Sequence, residues 1–143
     1  ALLELRSSAT AEPVYAALIG IDDDSVTLRV GGETLDVSPG VLDPVWFGDA
    51  HVFWRDFEWL GPTFGREAQG THVTRLHQLL ARAGVFQGPA NGTFGDATAT
   101  AVVDFQRSRR LDPDCRIGRL TRIALYNAVG SYQMPSLAAG GTS

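Results

Sequence analysis

Two stretches of this chain repeat one another at a constant offset of 23 residues. Asn91-Gly92-Thr93-Phe94-Gly95-Asp96-Ala97-Thr98 lies over Asp114-Cys115-Arg116-Ile117-Gly118-Arg119-Leu120-Thr121. Each copy opens with Asn or Asp followed by a small residue, a pairing that makes tight turns and tolerates positive φ. One apolar residue comes next, Phe94 or Ile117, suited to plug down between helices. A glycine then ends the turn, and Asp96 or Thr98 can satisfy the free N–H groups of the helix that follows.

The segments around these turns carry helical periodicity. Thr98, Ala101, Val102 and Phe105 fall at i, i+3, i+4 and i+7, a single stripe on one helix. Val73, Leu76, Leu80 and Ala83 form an earlier stripe. Leu120, Ile123, Ala124 and Asn127 form a later one whose last position is polar. The spacing predicts helices near 72–83, 97–109 and 119–128, with Phe94, Ile117, Leu76, Leu80, Val102, Phe105 and Leu125 as their common core. Helices this short are not stable alone, but three of them can bury one another's stripes.

The residues that repeat also carry a resemblance. Gly70-x-x-Val73-x-x-Leu76-x-x-x-Leu80 is followed by Gly92-x-Phe94-Gly95-x-x-Thr98-x-x-Ala101-Val102-x-x-Phe105-Gln106. Leu111-x-x-Asp114-x-x-x-Gly118-x-x-Thr121-x-x-x-Leu125 closes the pattern. Together they resemble the three-helix peptidoglycan-binding domain appended to many bacterial cell-wall hydrolases and envelope proteins. That family usually has Gly where this chain has Cys115. If the backbone there needs positive φ, a Cβ costs on the order of 1 kcal/mol.

Residues 1–60 read differently. Val14–Gly20 is an apolar run ended by the Asp22-Asp23-Asp24 turn, and Ser25–Val30 and Glu33–Val37 alternate at period two around Gly31-Gly32. Ser38-Pro39 can open a short helical turn, and Ala50–Trp54 is expected to be a last, aromatic-rich strand. Gly61-Pro62 breaks the chain, and Phe64 to Gln69 looks like a linker. The expected fold class is therefore α+β: a small antiparallel β-rich region at 1–60, a linker at 61–69, a three-helix domain at 70–129 and a flexible tail at 130–143.

Charge divides along the same boundary. Residues 1–60 hold eleven acids against three arginines, and residues 61–143 hold nine arginines against five acids; the chain has no lysine and a net charge of −4. An acidic chain argues against general nucleic-acid binding, whereas its C-terminal part can face an anionic polymer. No apolar run approaches the roughly 20 residues of a spanning helix. The chain begins without Met and has no signal-peptide pattern, so any membrane anchor is expected outside it. A single cysteine permits no internal disulfide.

The N-terminal region has its own, looser resemblance. An apolar strand, Gly20-x-Asp22-x-Asp24, an alternating strand and then Ser38-x-x-x-Leu42-x-x-x-Trp46-x-Gly48 resemble the second half of papain-like peptidases that trim bacteriocin leaders. The catalytic His of that family would fall at Val14-Tyr15-Ala16 and the catalytic Asp near Val30-Gly31. None of these residues can supply a base or orient one, and the half carrying the nucleophile is absent. A degenerate peptidase half joined to a peptidoglycan-binding domain is similar to the periplasmic end of the A components of the type II (general) secretion pathway. That resemblance implies binding to the cell wall, tethered to the inner membrane by a segment outside this chain, while the outer-membrane secretin assembles. Other envelope proteins of the secretion system are the further partners it implies. A targeting domain of a hydrolase without its catalytic part, and an envelope protein–protein interaction domain, are the alternatives.

No catalytic set, metal site or cofactor is expected. His72 and His77 are five apart and read as solvated helix residues, and His51 has neither a Cys nor an acid in family position. Cys115 reads as a neutral replacement for glycine. Trp46, Trp54 and Trp59 could stack on sugars, but a small β core is their expected place, with Trp59 the best exception. The arginines at 107, 109, 110, 116, 119 and 122 flank the turns. Arg recognises the carboxylates of peptidoglycan stem peptides in bidentate geometry, although charged helix faces are usually only solvated. The expected ligand-binding set is Asp96, Gln106, Arg107, Arg110, Arg116 and Arg119, with Gln106 having the alternative of bonding to a nearby loop.

Overall fold

A computed structural model describes residues 1–9, 12–134 and 137. Residues 1–53 and residues 54–134 form two compact units. The first is an antiparallel five-stranded sheet built from β1 (Leu2–Leu5), β2 (Val14–Ile21), β3 (Val26–Val30), β4 (Glu33–Val37) and β5 (Trp46–His51), in the order β4-β3-β2-β1-β5. Gly31 and Gly32, both at positive φ, turn β3 into β4, and Val26 pairs with Val37 through to Val30 with Glu33. Pro39–Val41 is a 3-10 turn with Pro at its start, as Ser38-Pro39 predicts. Leu3, Ala16, Val26, Leu28 and Leu42 form the small core.

The last strand differs from expectation. It occupies Trp46–His51 and not Ala50–Trp54: its ladder with β1 ends at the pairing of Leu2 with His51, and Val52 and Phe53 lie beyond it. Trp46 is accordingly exposed at the sheet edge, where its indole N–H donates to the Asp49 carbonyl, and is not in a β core.

The second unit contains α1 (Thr71–Arg82), α2 (Asp96–Ser108) and α3 (Arg119–Val129), each within a residue or two of its predicted bounds, and α1 packs against both others. All seven predicted core residues are buried, joined by Leu60, Val73, Leu79, Phe86, Ala99 and Tyr126. The stripe predicted for α3 is displaced by one position. Thr121, Arg122, Leu125 and Tyr126 face inward, whereas Leu120 is 66% exposed. The repeat itself carries the right register, since Thr98 and Val102 shifted by 23 are Thr121 and Leu125.

The stretch expected to be a linker, residues 61–69, runs against both turns of the helical unit. Phe64 bridges Ile117 and Gln69 bridges Thr93 in antiparallel fashion. Of the expected tail, residues 135, 136 and 138–143 lie outside the described residues. Gly130 ends α3 in the left-handed conformation, and the Arg82 guanidinium donates to Ser131 Oγ (2.7 Å) and to the Tyr132 hydroxyl (2.8 Å).

Candidate functional site

The two turn copies have the same geometry. Asn91 Oδ1 accepts from the Thr93 amide at 3.1 Å, and Asp114 Oδ1 accepts from the Arg116 amide at 2.9 Å. Gly92 has φ 74° and Cys115 φ 60°, so the second position of both turns is left-handed. Cys115 therefore stands at positive φ, the condition under which the sequence attaches a cost to its Cβ. The plugs Phe94 and Ile117 are buried, and their amides donate to the carbonyls of Ala68 (3.0 Å) and Phe64 (2.7 Å). Gly95 and Gly118 then enter α2 and α3 with nearly identical extended backbones.

Neither helix start has a side-chain cap, contrary to the role expected of Asp96 or Thr98. The N-cap positions are Gly95 and Gly118, which carry no side chain, and Asp96 and Thr98 are engaged elsewhere. Asp96 accepts from Arg66 Nη1 at 2.7 Å on the open surface. Thr98 turns inward, where its Oγ1 meets His77 Nε2 at 2.9 Å.

Among the other predicted ligand-binding residues, Gln106 is buried and braces the second turn. Its Nε2, with two N–H groups, lies within hydrogen-bond distance of Asp114 Oδ1 (2.8 Å), the Arg116 carbonyl (3.0 Å) and Thr121 Oγ1 (3.1 Å), while Oε1 accepts from the Cys115 amide (3.1 Å). The alternative of bonding to a nearby loop describes it. Arg107 and Arg110 sit at the C-terminal end of α2, not beside a helix start: Arg107 faces Asp104 at 3.7 Å, and Arg110 has φ 55° just past the helix. Arg116 and Arg119 do come together. They line a cleft of about 410 Å³ at the start of α3, with Thr63, Asp112, Asp114, Gly118, Leu120 and Thr121. Two acids and two arginines line it together, beside helix N-terminal amides whose dipoles favour anions. Such a cleft suits a ligand with both carboxylate and amine groups.

Several residues escape the sequence reading. Arg122, grouped there with the surface arginines, is buried. Its Nη1 pairs with Asp56 Oδ2 at 3.3 Å, its Nε and Nη2 donate to the Ile117 carbonyl, and its guanidinium lies 5.9 Å from the Trp54 ring centroid. The Tyr126 hydroxyl donates to Asp56 Oδ1, and burial together with that carboxylate pushes its pKa well up, so it stays a donor. His77 is 1% exposed and stacked on Phe86, with no partner for Nδ1 among the described residues, and burial lowers its pKa. It is not a solvated residue: Val73, Leu76, His77 and Leu80 share one helical face, a periodicity visible beforehand.

In the sheet unit, His51 is exposed at 3.8 Å from Glu4 Oε2, with its ring centroid 6.0 Å from that of Tyr15. The one cysteine belongs to the other unit. Among the described residues no group of three or more His, Cys, Asp or Glu can hold a metal, and no helix is long and apolar enough to cross a membrane.

Residues 69–125 match the family model described as a putative peptidoglycan binding domain. The general secretion pathway protein A of Aeromonas hydrophila is 29% identical over 125 residues, which is 86% of this chain but 22% of that protein; the chain spans about a fifth of its relative. A periplasmic domain of the EpsAB fusion protein of the Vibrio vulnificus type II secretion system aligns with a TM-score of 0.49 and 26% identity, over 87% of this chain and 54% of that one. A peptidoglycan-binding protein from Clostridioides difficile, in complex with glutamine hydroxamate, aligns with a TM-score of 0.46 and 22% identity, over 83% and 63%. The helical unit built around the repeated turn is thus similar, over residues 69–125, to the putative peptidoglycan binding domain, and the chain that carries it is similar to part of a general secretion pathway protein A.

Proposed function

We propose that this chain is a non-catalytic peptidoglycan-binding region of a type II secretion protein. It holds its parent protein on the sacculus while the outer-membrane secretin assembles. A domain that grips peptidoglycan works on the side of the inner membrane where the sacculus lies, so the reading places the chain in the periplasm, tethered by a segment outside it. The observation that carries the reading is the charge-balanced cleft of Arg116, Arg119, Asp112 and Asp114, within the residues that match the peptidoglycan-binding model. Its arginines grip the carboxylates of a stem peptide, and its aspartates face the amine of a diamino acid.

Co-sedimentation with purified sacculi tests this. Binding is expected to weaken with salt, since exposed charges are screened within about 10 Å at 0.1 M ionic strength. The double substitution Arg116→Ala, Arg119→Ala should cost about 1.5–3 kcal/mol per charged hydrogen bond lost, with the thermal midpoint nearly unchanged. Sedimentation indifferent to both treatments would remove the cleft as the contact, and no sedimentation at all would remove peptidoglycan as the ligand. Incubation with sacculi should release no new reducing or amino ends. In the full-length protein, the double variant should leave the secretin unassembled in the outer membrane.

A further inference from the structure

Next to the charged cleft lies a second one of about 420 Å³, lined by Trp59, Leu60, Gly61, Pro62, Thr63, Phe64 and His72. Thr63 borders both clefts. Trp59 is 74% exposed, yet its backbone is left-handed at φ 52°, a conformation that bulky side chains rarely adopt. Strain of this kind persists only where the surroundings over-determine it.

Here the loop is fastened from several sides. The Trp59 amide donates to the Asp56 carbonyl (3.3 Å) and the Gly61 amide to Asp56 Oδ2 (3.1 Å). Asp56 is in turn held by the buried Arg122 and by Tyr126. Arg75 Nη1 donates to the carbonyls of Glu58 (3.3 Å) and Trp59 (3.5 Å). All this fixes the backbone but leaves the indole in water, so burial of the ring does not repay the strain.

We propose that Trp59 is a rigid platform for a pyranose ring of the glycan strand, an N-acetylhexosamine seated against Pro62 and Phe64. The Thr63 hydroxyl and the His72 imidazole stand at the rim to meet its hydroxyl and acetamide groups. An indole face takes the apolar C–H face of a sugar, and a ring held in place loses little freedom on binding. A sugar is the occupant, and not another protein's side chain, because the cleft shares Thr63 with the charged one and so lies beside it. A polymer bearing sugars and stem peptides together reaches both. Most of this subsite precedes residue 69, where the family match begins.

The inference rests on the peptidoglycan reading, and the experiment separates the two. The full chain is titrated by calorimetry with an N-acetylglucosamine tetramer, which has no peptide, and with a free stem tetrapeptide, which has no sugar. Trp59→Ala should weaken the tetramer about tenfold and leave the tetrapeptide and the thermal midpoint unchanged, while Trp59→Phe retains most of the tetramer affinity. Unchanged tetramer affinity in Trp59→Ala overturns the platform. So does a native chain that binds the tetrapeptide and sacculi but not the tetramer, which leaves the parent reading intact. A native chain that binds neither fragment nor sacculi overturns both.

Discussion

The two turns differ in what surrounds a common backbone. In the first copy, a Cβ on Gly92 would lie 2.9 Å from Thr74 Oγ1 and 3.3 Å from the Gly70 carbonyl. Glycine is required there for space as well as for positive φ. In the second copy Cys115 has the same handedness, its amide is received by Gln106, and its half-buried Sγ approaches the Ala99 carbonyl at 3.9 Å. Behind the first helix start stands Ala99; at the equivalent place in the second stands Arg122, a buried cation tied to Asp56. Each copy also buries a threonine, with His77 as partner in the first and Gln106 in the second. The first turn is closed onto α1, and the second opens the charged cleft. A repeat preserves the backbone path, and its neighbours decide which copy can vary and which can bind.

The largest effect expected from breaking this comparison is at Asp56. Asp56→Ala leaves Arg122 buried without its ion partner and removes the acceptor of Tyr126, at roughly 3–5 kcal/mol by denaturant unfolding. Arg66→Ala, which breaks only the exposed pair with Asp96 beside the first copy, should leave the unfolding transition almost where it is in the native chain, because water screens the pair. Equal costs would mean that Asp56 and Arg122 are as dispensable as a surface pair.

A smaller effect is expected at the first turn. Gly92→Ala should destabilise by roughly 1–3 kcal/mol, combining left-handed strain with the contact to Thr74. A thermal midpoint unchanged from the native chain would show that the first turn is as permissive as the second.

The buried threonine partners sharpen the comparison through pH. Burial holds the His77 pKa below the usual 6.5, so the folded state resists the proton that the unfolded state accepts. The stability tied to neutral His77 is fully present above 6.5 and is lost as the pH falls through 6.5 towards the depressed folded value. The thermal midpoint should fall between pH 7 and pH 5, and His77→Gln should flatten that dependence. A variant with the same slope as the native chain would place the titrating group elsewhere.

The smallest effect is at Cys115. Cys115→Gly relieves the left-handed strain but gives the unfolded chain more freedom and removes the Sγ packing, so stability should change by no more than about 1 kcal/mol. A loss of several kcal/mol would show that Sγ is a true packing element.

The α+β class, the three helices and their seven core residues were legible from residue order, and the two turns were recognisable as one unit used twice. All of these rest on local periodicity and on one turn chemistry used twice, which residue order displays even though the helices need one another's apolar stripes to be stable. Even the α3 register was available through the offset from Thr98 and Val102, although the run of apolar residues beginning at Leu120 pointed to the wrong face. What only the tertiary structure decided are pairings across long separations. Asp56 meets Arg122 and Tyr126, Phe64 and Ala68 receive the amides of Ile117 and Phe94, and Arg116 and Arg119 share a cleft that Arg107 and Arg110 do not reach. Charge and spacing along a chain cannot say which of nine arginines is buried, because burial of a cation depends on a partner brought from more than sixty residues away.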